Sequence, residues 1–323
     1  MENNSIRNII ALSLIKGVGS AFIKKNFFDI KRNKNNLLEL SKLGGKVDLN
    51  KLEEELDESE RIINECKNRK IGIITITDDN YPRNLFEIKD PPPILYYLGN
   101  ITLLNKAIAI IGTRKSSELG NRIANRLGLY FSKNWSICNG LVDGIDKNSI
   151  INDNNVHPRV IGVLSGGLNY QYTSSKITQE LSIKVLENDG LLLSENEPSK
   201  KEDQFSAIKA SRIQAGLSNL LLLVQSSIEG GSRYTVKTFS ELQRPLGIID
   251  FSEEKSFRED ERFEANRLIL EKRKKGIMEF CNIKKIENIK IFKTISIKNN
   301  NDYLLIEEEI KASKNTNWSL GDW

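Results

Sequence analysis

Short apolar runs alternate with amphipathic segments from Ala107 to Asp250, and this alternation limits the possible folds more than any other feature of the sequence. The runs are AIAIIG, SICNG, RVIGVL, GLLLS, SNLLLLV and PLGIID. Such runs are typical of strands that are buried on both faces of a parallel sheet, and the amphipathic segments between them are typical of covering helices. The sequence therefore predicts an α/β fold with a doubly wound, mainly parallel sheet.

Three parts of the chain differ in composition. Residues 1–70 lack proline and carry apolar residues at helical spacing, which predicts a small helical domain. All seven prolines lie between Tyr81 and Leu246. Residues 71–251 are predicted to form the α/β domain, in which the run Pro91–Pro93 leads into an extended segment. Residues 252–323 form a highly charged extension whose fold the sequence leaves open.

The composition is that of a globular protein, with 39% hydrophobic and 28% charged residues among 323. Its net charge of +5 is compatible with a polyanionic partner. Cys66, Cys138 and Cys281 lie far apart, which argues against a disulfide framework and a structural zinc site. The run LSNLLLLV is too short to span a bilayer. We expect a cytoplasmic protein with no membrane segment, no metal and no cofactor.

Glycine and hydroxyl residues cluster where four predicted strands end. The loops are GTRKSS, NGLVDGID, SGGLNYQYTSSK and SSIEGGSRYT. Ligands of a doubly wound sheet bind outside the carboxyl ends of its strands. Glycine lets the backbone approach an anion, and helix N-termini and hydroxyl groups supply hydrogen-bond donors. Together, the four loops predict a phosphate-binding face.

Arg114 is the residue that we expect to meet the anion, because a guanidinium can hold a phosphate through two hydrogen bonds. An alternative is that glycines in these loops only let a strand turn into a helix. The other loop residues that we expect to bind phosphate are Gly112, Thr113, Lys115, Ser117, Gly120, Asn139, Gly140, Gly166, Gly167, Gly230, Gly231, Ser232 and Thr235.

Several enzyme motifs are missing from the sequence. GTRKSSELG is not Gly-x-Gly-x-x-Gly, and no Gly-x-x-x-x-Gly-Lys-Ser/Thr occurs, which argues against a dinucleotide enzyme and a P-loop ATPase. No nucleophile elbow and no Cys-x-x-Cys pair occurs either. We therefore expect a binding protein and not an enzyme.

Seven segments of the chain resemble, in order and spacing, the DNA-processing proteins called DprA or Smf. They are YPRNLFEIKDPPPILYYLGN, AIAIIGTRKSSELG, NGLVDGID, VLSGGLNYQY, LLLSENEP, SRIQAGLS and EGGSRYTVKTFSELQRPLGIID. The resemblance covers roughly residues 72–250. It implies an extended Rossmann-like domain that binds single-stranded DNA and forms a homodimer. It also implies protection of incoming DNA during transformation and loading of the recombinase RecA.

The resemblance also implies roles for individual residues. Arg114 and the Gly166–Gly167 loop would line the DNA-phosphate pocket, Lys176 would add charge, and Arg212 matches an arginine of the family's Arg-Asn-Arg segment. Asp146 would shape the pocket by holding loop N–H groups, since a carboxylate repels phosphate.

Base stacking is a further expectation. The aromatic rings of Tyr170 or Tyr172 could stack on the bases of a single strand, because every base has a π-face.

Departures from the family pattern fall in the same pocket. Asn139–Val142 replaces Ser-Gly-Leu-Ala, Thr173 replaces a proline, and Ala210–Arg212 lacks one arginine of the family's segment. These changes leave an alternative open, namely a sensor of free nucleotides related to the LOG and SLOG domains, in a defence or mobile-element system. A scaffold with a vestigial pocket is a third alternative.

A Gly-Val-Gly turn lies between the first two predicted helices, at Gly17–Gly19. This pattern resembles a helix-hairpin-helix, whose backbone N–H groups can bind a DNA phosphate with Lys16, Lys24 and Lys25 nearby. A glycine-pinned turn between packed helices is the interpretation that we favour.

Overall fold

Strands and helices of the α/β part follow the predicted alternation. The computed structural model describes residues 2–153 and 155–317. The strands are β1 (Gly72–Thr75), β2 (Ile94–Gly99), β3 (Ala107–Gly112), β4 (Ser136–Asn139), β5 (Ile151–Asn152), β6 (Asn155–Val156), β7 (Val160–Val163), β8 (Leu191–Ser194), β9 (Ser218–Gln225), β10 (Leu246–Ile249) and β11 (Thr294–Ile297).

Nine of these strands form one sheet in the order β1-β2-β8-β7-β4-β3-β9-β10-β11, and β5 pairs with β6 in a separate hairpin. Within the nine-stranded sheet only β2 is antiparallel to its neighbours, β1 and β8. The interior strand β9 is buried along its whole length and pairs in parallel with β3 and β10. The predicted doubly wound, mainly parallel α/β fold is confirmed.

Six helices precede the sheet. They are α1 (Glu2–Leu14), α2 (Ser20–Lys25), α3 (Phe27–Asn33), α4 (Leu37–Leu40), α5 (Leu49–Glu54) and α6 (Leu56–Asn68). On α6 the apolar residues Ile62, Ile63 and Cys66 are buried. Arg61 on the same helix forms an ion pair of 2.8 Å with Glu197, which follows β8. The helical part is thus packed against the sheet.

The helices that cover the sheet follow the strands. They are α7 (Arg83–Phe86), α8 (Glu118–Phe131), α9 (Ile145–Ile150), α10 (Tyr170–Thr173), α11 (Lys176–Glu187), α12 (Gln204–Leu217) and α13 (Ser232–Ser240). On α8, Ile123, Ala124, Leu127 and Phe131 are buried at helical spacing, which is why this segment forms an amphipathic helix. The amphipathic segments NRIANRLGLYFSKN, SSKITQELSIKVLEND and TVKTFSELQ predicted α8, α11 and α13, whereas no such segment predicted α9 or α12.

The C-terminal part contributes to the same sheet. It comprises α14 (Lys255–Glu259), α15 (Glu264–Lys272), α16 (Lys274–Phe280), β11 and α17 (Asp302–Asn317). Strand β11 pairs in parallel with β10, so the sheet continues past residue 251. Tyr303 on α17 packs its ring against Tyr130 and Phe131 of α8, with centroids 4.8 and 5.6 Å apart.

Within residues 2–153 and 155–317, no helix is both long and apolar enough to cross a lipid bilayer. No group of three or more His, Cys, Asp or Glu side chains there is arranged to hold a metal ion.

Candidate functional site

The parallel strands β8, β7, β4, β3 and β9 end side by side, and we call this side of the sheet the carboxyl edge. Neighbouring strands of a sheet are about 4.8 Å apart, so the ends of β8 and β3 are separated by about 14 Å. All four glycine-rich loops leave the sheet at this edge. The fold therefore brings the loops together, as expected for a doubly wound sheet.

Arg114 and Lys115 extend into solvent from the loop after β3. Backbone hydrogen bonds hold this loop in place. Thr113 donates its N–H to the carbonyl oxygen of Gln225 at 2.7 Å, and its own carbonyl oxygen accepts the N–H of Ile145 at 3.2 Å. Neither Arg114 nor Lys115 forms an ion pair with any residue that the structure describes. Both cations are therefore available to an external anion.

The side chain of Gln225 occupies the crevice between β3 and β9, where the strand order reverses. It accepts a hydrogen bond from the N–H of Ser117 at 3.0 Å and donates one to the Ser117 hydroxyl at 2.8 Å. A Cβ on Gly120 would lie only 2.3 Å from its Oε1 atom. Ser117 and Gly120 therefore face this buried amide instead of an open phosphate site.

The loop after β9 is closed by a residue of the C-terminal part. Asn266 on α15 is fully buried. Its side-chain oxygen accepts the N–H of Ser226 at 3.2 Å, and its amide nitrogen donates to the carbonyl oxygens of Leu223 and Val224. The Ser232 hydroxyl donates to that of Ser226 at 2.6 Å. Thr235 is buried, whereas Gly230 is half-buried and Gly231 is exposed.

The loop after β4 is organised by two buried side chains. Asn139 is fully buried and donates to the carbonyl oxygen of Asp146 and to the hydroxyl of Ser149, so it does not reach a ligand. The carboxylate of Asp146 accepts the N–H of Gly140 at 2.8 Å. Burial raises the pKa of Asp146 to about 7, while the Gly140 N–H and the charge of Arg114 act in the opposite direction.

Gly166 and Gly167, after β7, pack against the segment that follows β8. A Cβ on Gly167 would lie 1.9 Å from the carbonyl oxygen of Glu197, and the Gly167 N–H donates to Lys200 at 2.8 Å. The carboxylate of Glu202 accepts the Ser165 hydroxyl at 3.0 Å. These two glycines thus allow two backbone segments to approach each other, and they are buried from solvent.

Two aromatic side chains are exposed on the segments that follow β7 and β8. Tyr172 is 72% exposed, and Phe205, in the first turn of α12, is 80% exposed. The backbone connects the two regions, because the N–H of Glu202 donates to Thr173 at 2.9 Å. Exposed lysines flank the aromatic pair at Lys176, Lys200 and Lys201, and within the described ranges they form no ion pair.

Sequence reasoning missed Phe205 because it missed the start of α12. Asp203 accepts the N–H of Ser206 at 2.7 Å and is the N-cap of this helix. An aspartate directly ahead of a proline-free segment is a helix-start signal that would have placed Phe205 in the first turn.

Arg212 does not lie on the exposed surface. Its buried guanidinium donates to both carboxylate oxygens of Glu195, at 2.6 and 2.8 Å, and to Asp90 at 3.1 Å. A phosphate would have to displace a carboxylate to bind it. Arg212 therefore joins segments of the fold and does not supply the free charge expected of it.

The N-terminal hairpin uses one of its lysines for packing. The Nζ atom of Lys24 donates to the carbonyl oxygen of Ile88 at 2.6 Å and lies 5.3 Å from the ring centroid of Phe86. Burial lowers the pKa of Lys24, while Glu87 and Asp90 act to raise it. Lys16 and Lys25 remain exposed.

Comparisons with known proteins agree with this architecture. The sequence model of the family described as DNA recombination-mediator protein A matches residues 72–280. The DNA processing protein DprA of Bacillus subtilis is 32% identical over 189 residues, which cover 58% of this chain and 63% of that protein. Protein Smf of Synechocystis is 28% identical over 262 residues, which cover 76% of this chain and 65% of that protein. The chain spans just under two-thirds of the length of these two relatives.

Two solved structures share the fold. The X-ray structure of DNA processing protein A from Streptococcus pneumoniae superposes with a TM-score of 0.68 at 22% identity, covering 93% of this chain and 96% of that one. A structure of the Helicobacter pylori protein, determined to explain its single-stranded DNA binding mode, superposes with a TM-score of 0.55 at 23% identity, covering 76% and 97%.

Proposed function

Because the chain belongs to the DNA recombination-mediator protein A family, we propose that it binds single-stranded DNA along the carboxyl edge of its sheet. In this proposal it acts in DNA processing or recombination as a binding protein, without catalysing a reaction. Its DNA-processing relatives from Bacillus subtilis and Streptococcus pneumoniae support this function.

The observation that carries the proposal is a group of exposed cations in the loops at the carboxyl edge, together with two exposed aromatic rings. The cations are Arg114, Lys115, Lys176, Lys200 and Lys201. Unpaired cations attract the phosphates of a strand, and exposed rings such as Tyr172 and Phe205 can stack on its bases. Charge and stacking surface occur together at one edge, as nonspecific single-strand binders require.

The contacts proposed for DNA are fewer than the sequence suggested. We retain Arg114, Lys115, Tyr172 and Lys176, and we add Lys200, Lys201 and Phe205. We propose no direct phosphate contact for the residues that are buried or hydrogen-bonded within the fold. These are Gly112, Thr113, Ser117, Gly120, Asn139, Gly166, Gly167, Arg212, Ser232 and Thr235. Gly140, Gly230 and Gly231 remain accessible, and Asp146 shapes the loop that contains Gly140.

A free nucleotide fits this edge less well. In doubly wound folds the nucleotide binds in the crevice where the strand order reverses. Here the side chain of Gln225 fills that crevice and is hydrogen-bonded to Ser117. We therefore prefer a strand that lies across the edge to a nucleotide that enters the sheet.

Fluorescence anisotropy with a labelled 20-nucleotide single strand, its duplex and free mononucleotides tests the proposal. We expect saturable binding of the single strand that weakens as salt rises, because bound phosphates release counterions. We expect weaker binding of the duplex. Thermal stabilisation by a mononucleotide together with no strand binding at low salt would overturn the proposal in favour of a nucleotide sensor.

Dimer formation and RecA loading are finer parts of the proposal, and they rest on family membership and the sequence resemblance. Sedimentation at micromolar concentration, with and without a single strand, tests the dimer. Assembly of RecA filaments on strands already bound by this protein tests loading. A monomer under both conditions, or filament assembly no faster than on naked strands, would contradict the respective part.

A further inference from the structure

Residues 272–293 concentrate positive charge in one part of the chain, and we call them the basic segment. They contain eight lysines and arginines and two glutamates, which gives a net charge of +6. The whole chain of 323 residues carries only +5. The residues outside the basic segment are therefore nearly neutral as a group.

The basic segment is packed onto the helices that cover the sheet. It comprises the last residue of α15, all of α16 and the chain that leads to β11. Helix α16 contacts α15 and α13, and the short turn Ile286–Asn288 contacts α16. The N–H of Ile283 donates to Met278 at 2.9 Å, and the N–H of Lys290 donates to Ser240 at 2.7 Å. The fold thus fixes the backbone positions of these cations.

Six cations of the basic segment are exposed, and none of them forms an ion pair within residues 2–153 and 155–317. They are Arg273, Lys274, Lys275, Lys284, Lys285 and Lys290. The other two are neutralised, since Lys272 pairs with Glu279 at 2.9 Å and Lys293 pairs with Glu309. Helix α16 has seven residues and is about 10 Å long, so it keeps the cations before it and after it close together. Like charges held together repel each other, which favours binding of a polyanion.

The basic segment lies away from the carboxyl edge. Helix α15 begins at that edge, where the N–H of Ala265 donates to Ser226 at 3.0 Å, and it packs along β9 and β10 for nine residues, about 13 Å. At the other end of the segment, the carbonyl oxygen of Lys293 accepts the N–H of Leu246, the first residue of β10, at 2.8 Å. A ligand on the basic segment therefore leaves the carboxyl edge free.

The basic segment offers charge but little surface for stacking. Its aromatic residues are Phe280, which is buried, and Phe292, which is 37% exposed, compared with 72% for Tyr172 and 80% for Phe205. Proteins that bind single strands without sequence preference stack the bases on aromatic rings. A duplex keeps its bases stacked inside and presents one phosphate charge per about 1.7 Å of its axis. Cations without exposed rings therefore fit a duplex better than a single strand.

We propose that the basic segment binds the phosphate backbone of double-stranded DNA, without sequence preference and at a site separate from the carboxyl edge. One copy of the protein then holds a duplex and a single strand at the same time. The duplex site does not depend on the proposed function, whereas the simultaneous binding rests on it.

Two variants with the same change in charge test the inference. The segment variant replaces four cations of the basic segment and is Lys274→Gln/Lys275→Gln/Lys284→Gln/Lys285→Gln. The control variant replaces four exposed cations elsewhere that pair with no carboxylate in the described part of the chain, and it is Lys67→Gln/Lys70→Gln/Lys133→Gln/Arg159→Gln. Circular dichroism checks that both variants are folded.

Anisotropy titrations with a labelled duplex compare these variants with the wild type. The segment variant should bind the duplex at least about 10-fold more weakly at low salt, and the slope of log K against log salt should fall in magnitude by about 0.9 for each lost phosphate contact. The control variant should bind the duplex within about 2-fold of the wild type, because its cations contact no phosphate. Single-strand affinity should be nearly unchanged in the segment variant.

A competition titration tests whether the two sites are separate. Unlabelled oligothymidine at saturating concentration should leave the labelled duplex bound to the wild type. Displacement of the duplex, or equal duplex affinities of the segment and control variants, overturns the inference and leaves the proposed function standing. Failure of the wild type to bind oligothymidine, with duplex binding lost only in the segment variant, overturns the proposed function and confirms the duplex site.

Discussion

Both carboxylate oxygens of Glu195 accept hydrogen bonds from the guanidinium of Arg212, at 2.6 and 2.8 Å. The guanidinium also donates to the side chain and the backbone carbonyl of Asp90, both at 3.1 Å. Helix α12, the end of β8 and the segment before β2 are thus joined by one buried cation. An arginine that resembles a DNA contact in sequence is a structural residue in this fold.

Arg212→Met should destabilise the protein by about 3–5 kcal/mol, because it leaves the Glu195 carboxylate buried without its partner. The double variant Arg212→Met/Glu195→Met should lose less stability than Arg212→Met alone, since the only carboxylate then left without its arginine partner is that of Asp90, which is half-exposed. Urea denaturation monitored by circular dichroism measures both. A loss below 1 kcal/mol for Arg212→Met, with DNA affinity reduced more than 10-fold, would instead identify Arg212 as a DNA contact.

Tyr172→Ala and Phe205→Ala should each weaken binding of a single strand by about 1–3 kcal/mol, the usual value of one base stacked on an aromatic ring. Tyr172→Phe should retain most of the affinity, because it keeps the ring. Phe28→Ala is the matched control, since Phe28 is 60% exposed and belongs to α3 in the N-terminal helical part. Titrations that give the same affinity for all four variants would remove stacking from the account.

Asp146→Asn should change the pH dependence of stability. Burial raises the pKa of Asp146 from 3.8 to about 7 in the folded protein, so the folded state binds a proton that the unfolded state has lost. Stability contributed by this group is therefore present below about pH 4 and is lost as the pH rises to about 7. The slope is at most about 1.4 kcal/mol per pH unit.

Urea denaturation of wild type and Asp146→Asn at pH 5 and pH 7.5 checks this sign. The variant should gain about 2 kcal/mol relative to wild type between the two pH values, because asparagine cannot ionise. A difference between the two proteins that does not change with pH would show that Asp146 titrates normally.

Lys24→Ala should loosen the N-terminal helices without weakening DNA binding. The Lys24 ammonium donates to Ile88 at 2.6 Å, and loss of this bond to a charged group should cost about 1.5–3 kcal/mol. Hydrogen exchange of α1–α3 should accelerate in Lys24→Ala and remain unchanged in Lys25→Ala, whose lysine is exposed. An equal loss of DNA affinity in both variants would support a DNA-binding hairpin instead.

The strands of the α/β part were predictable because each is a nearly continuous apolar run. Strand β9, for example, is buried at all eight positions, and its sequence is SNLLLLVQ. Helix α12 was not predictable from periodicity, because it buries polar and small residues such as Ser206, Arg212 and Gly216 beside its apolar ones. A helix buried on most of its surface has no simple apolar stripe.

The position of the candidate site was predictable, whereas the availability of its donors was not. Strand ends and loop glycines place Arg114 at the carboxyl edge. Whether a donor is free depends on partners that are distant in sequence, such as Gln225 for Ser117 and Asn266 for Ser226. Hydrogen bonds between residues that lie 40 and 108 positions apart leave no local pattern in the sequence.

The salt dependence of single-strand binding by Arg114→Ala tests the central claim most directly. Arg159→Ala is the matched control, because Arg159 is an exposed arginine that precedes β7 at the opposite edge of the sheet. Loss of one phosphate contact should lower the magnitude of the slope of log K against log salt by about 0.7 and weaken binding at low salt. Arg159→Ala should match the wild type in both quantities. Identical slopes and affinities for Arg114→Ala and the wild type would contradict the account.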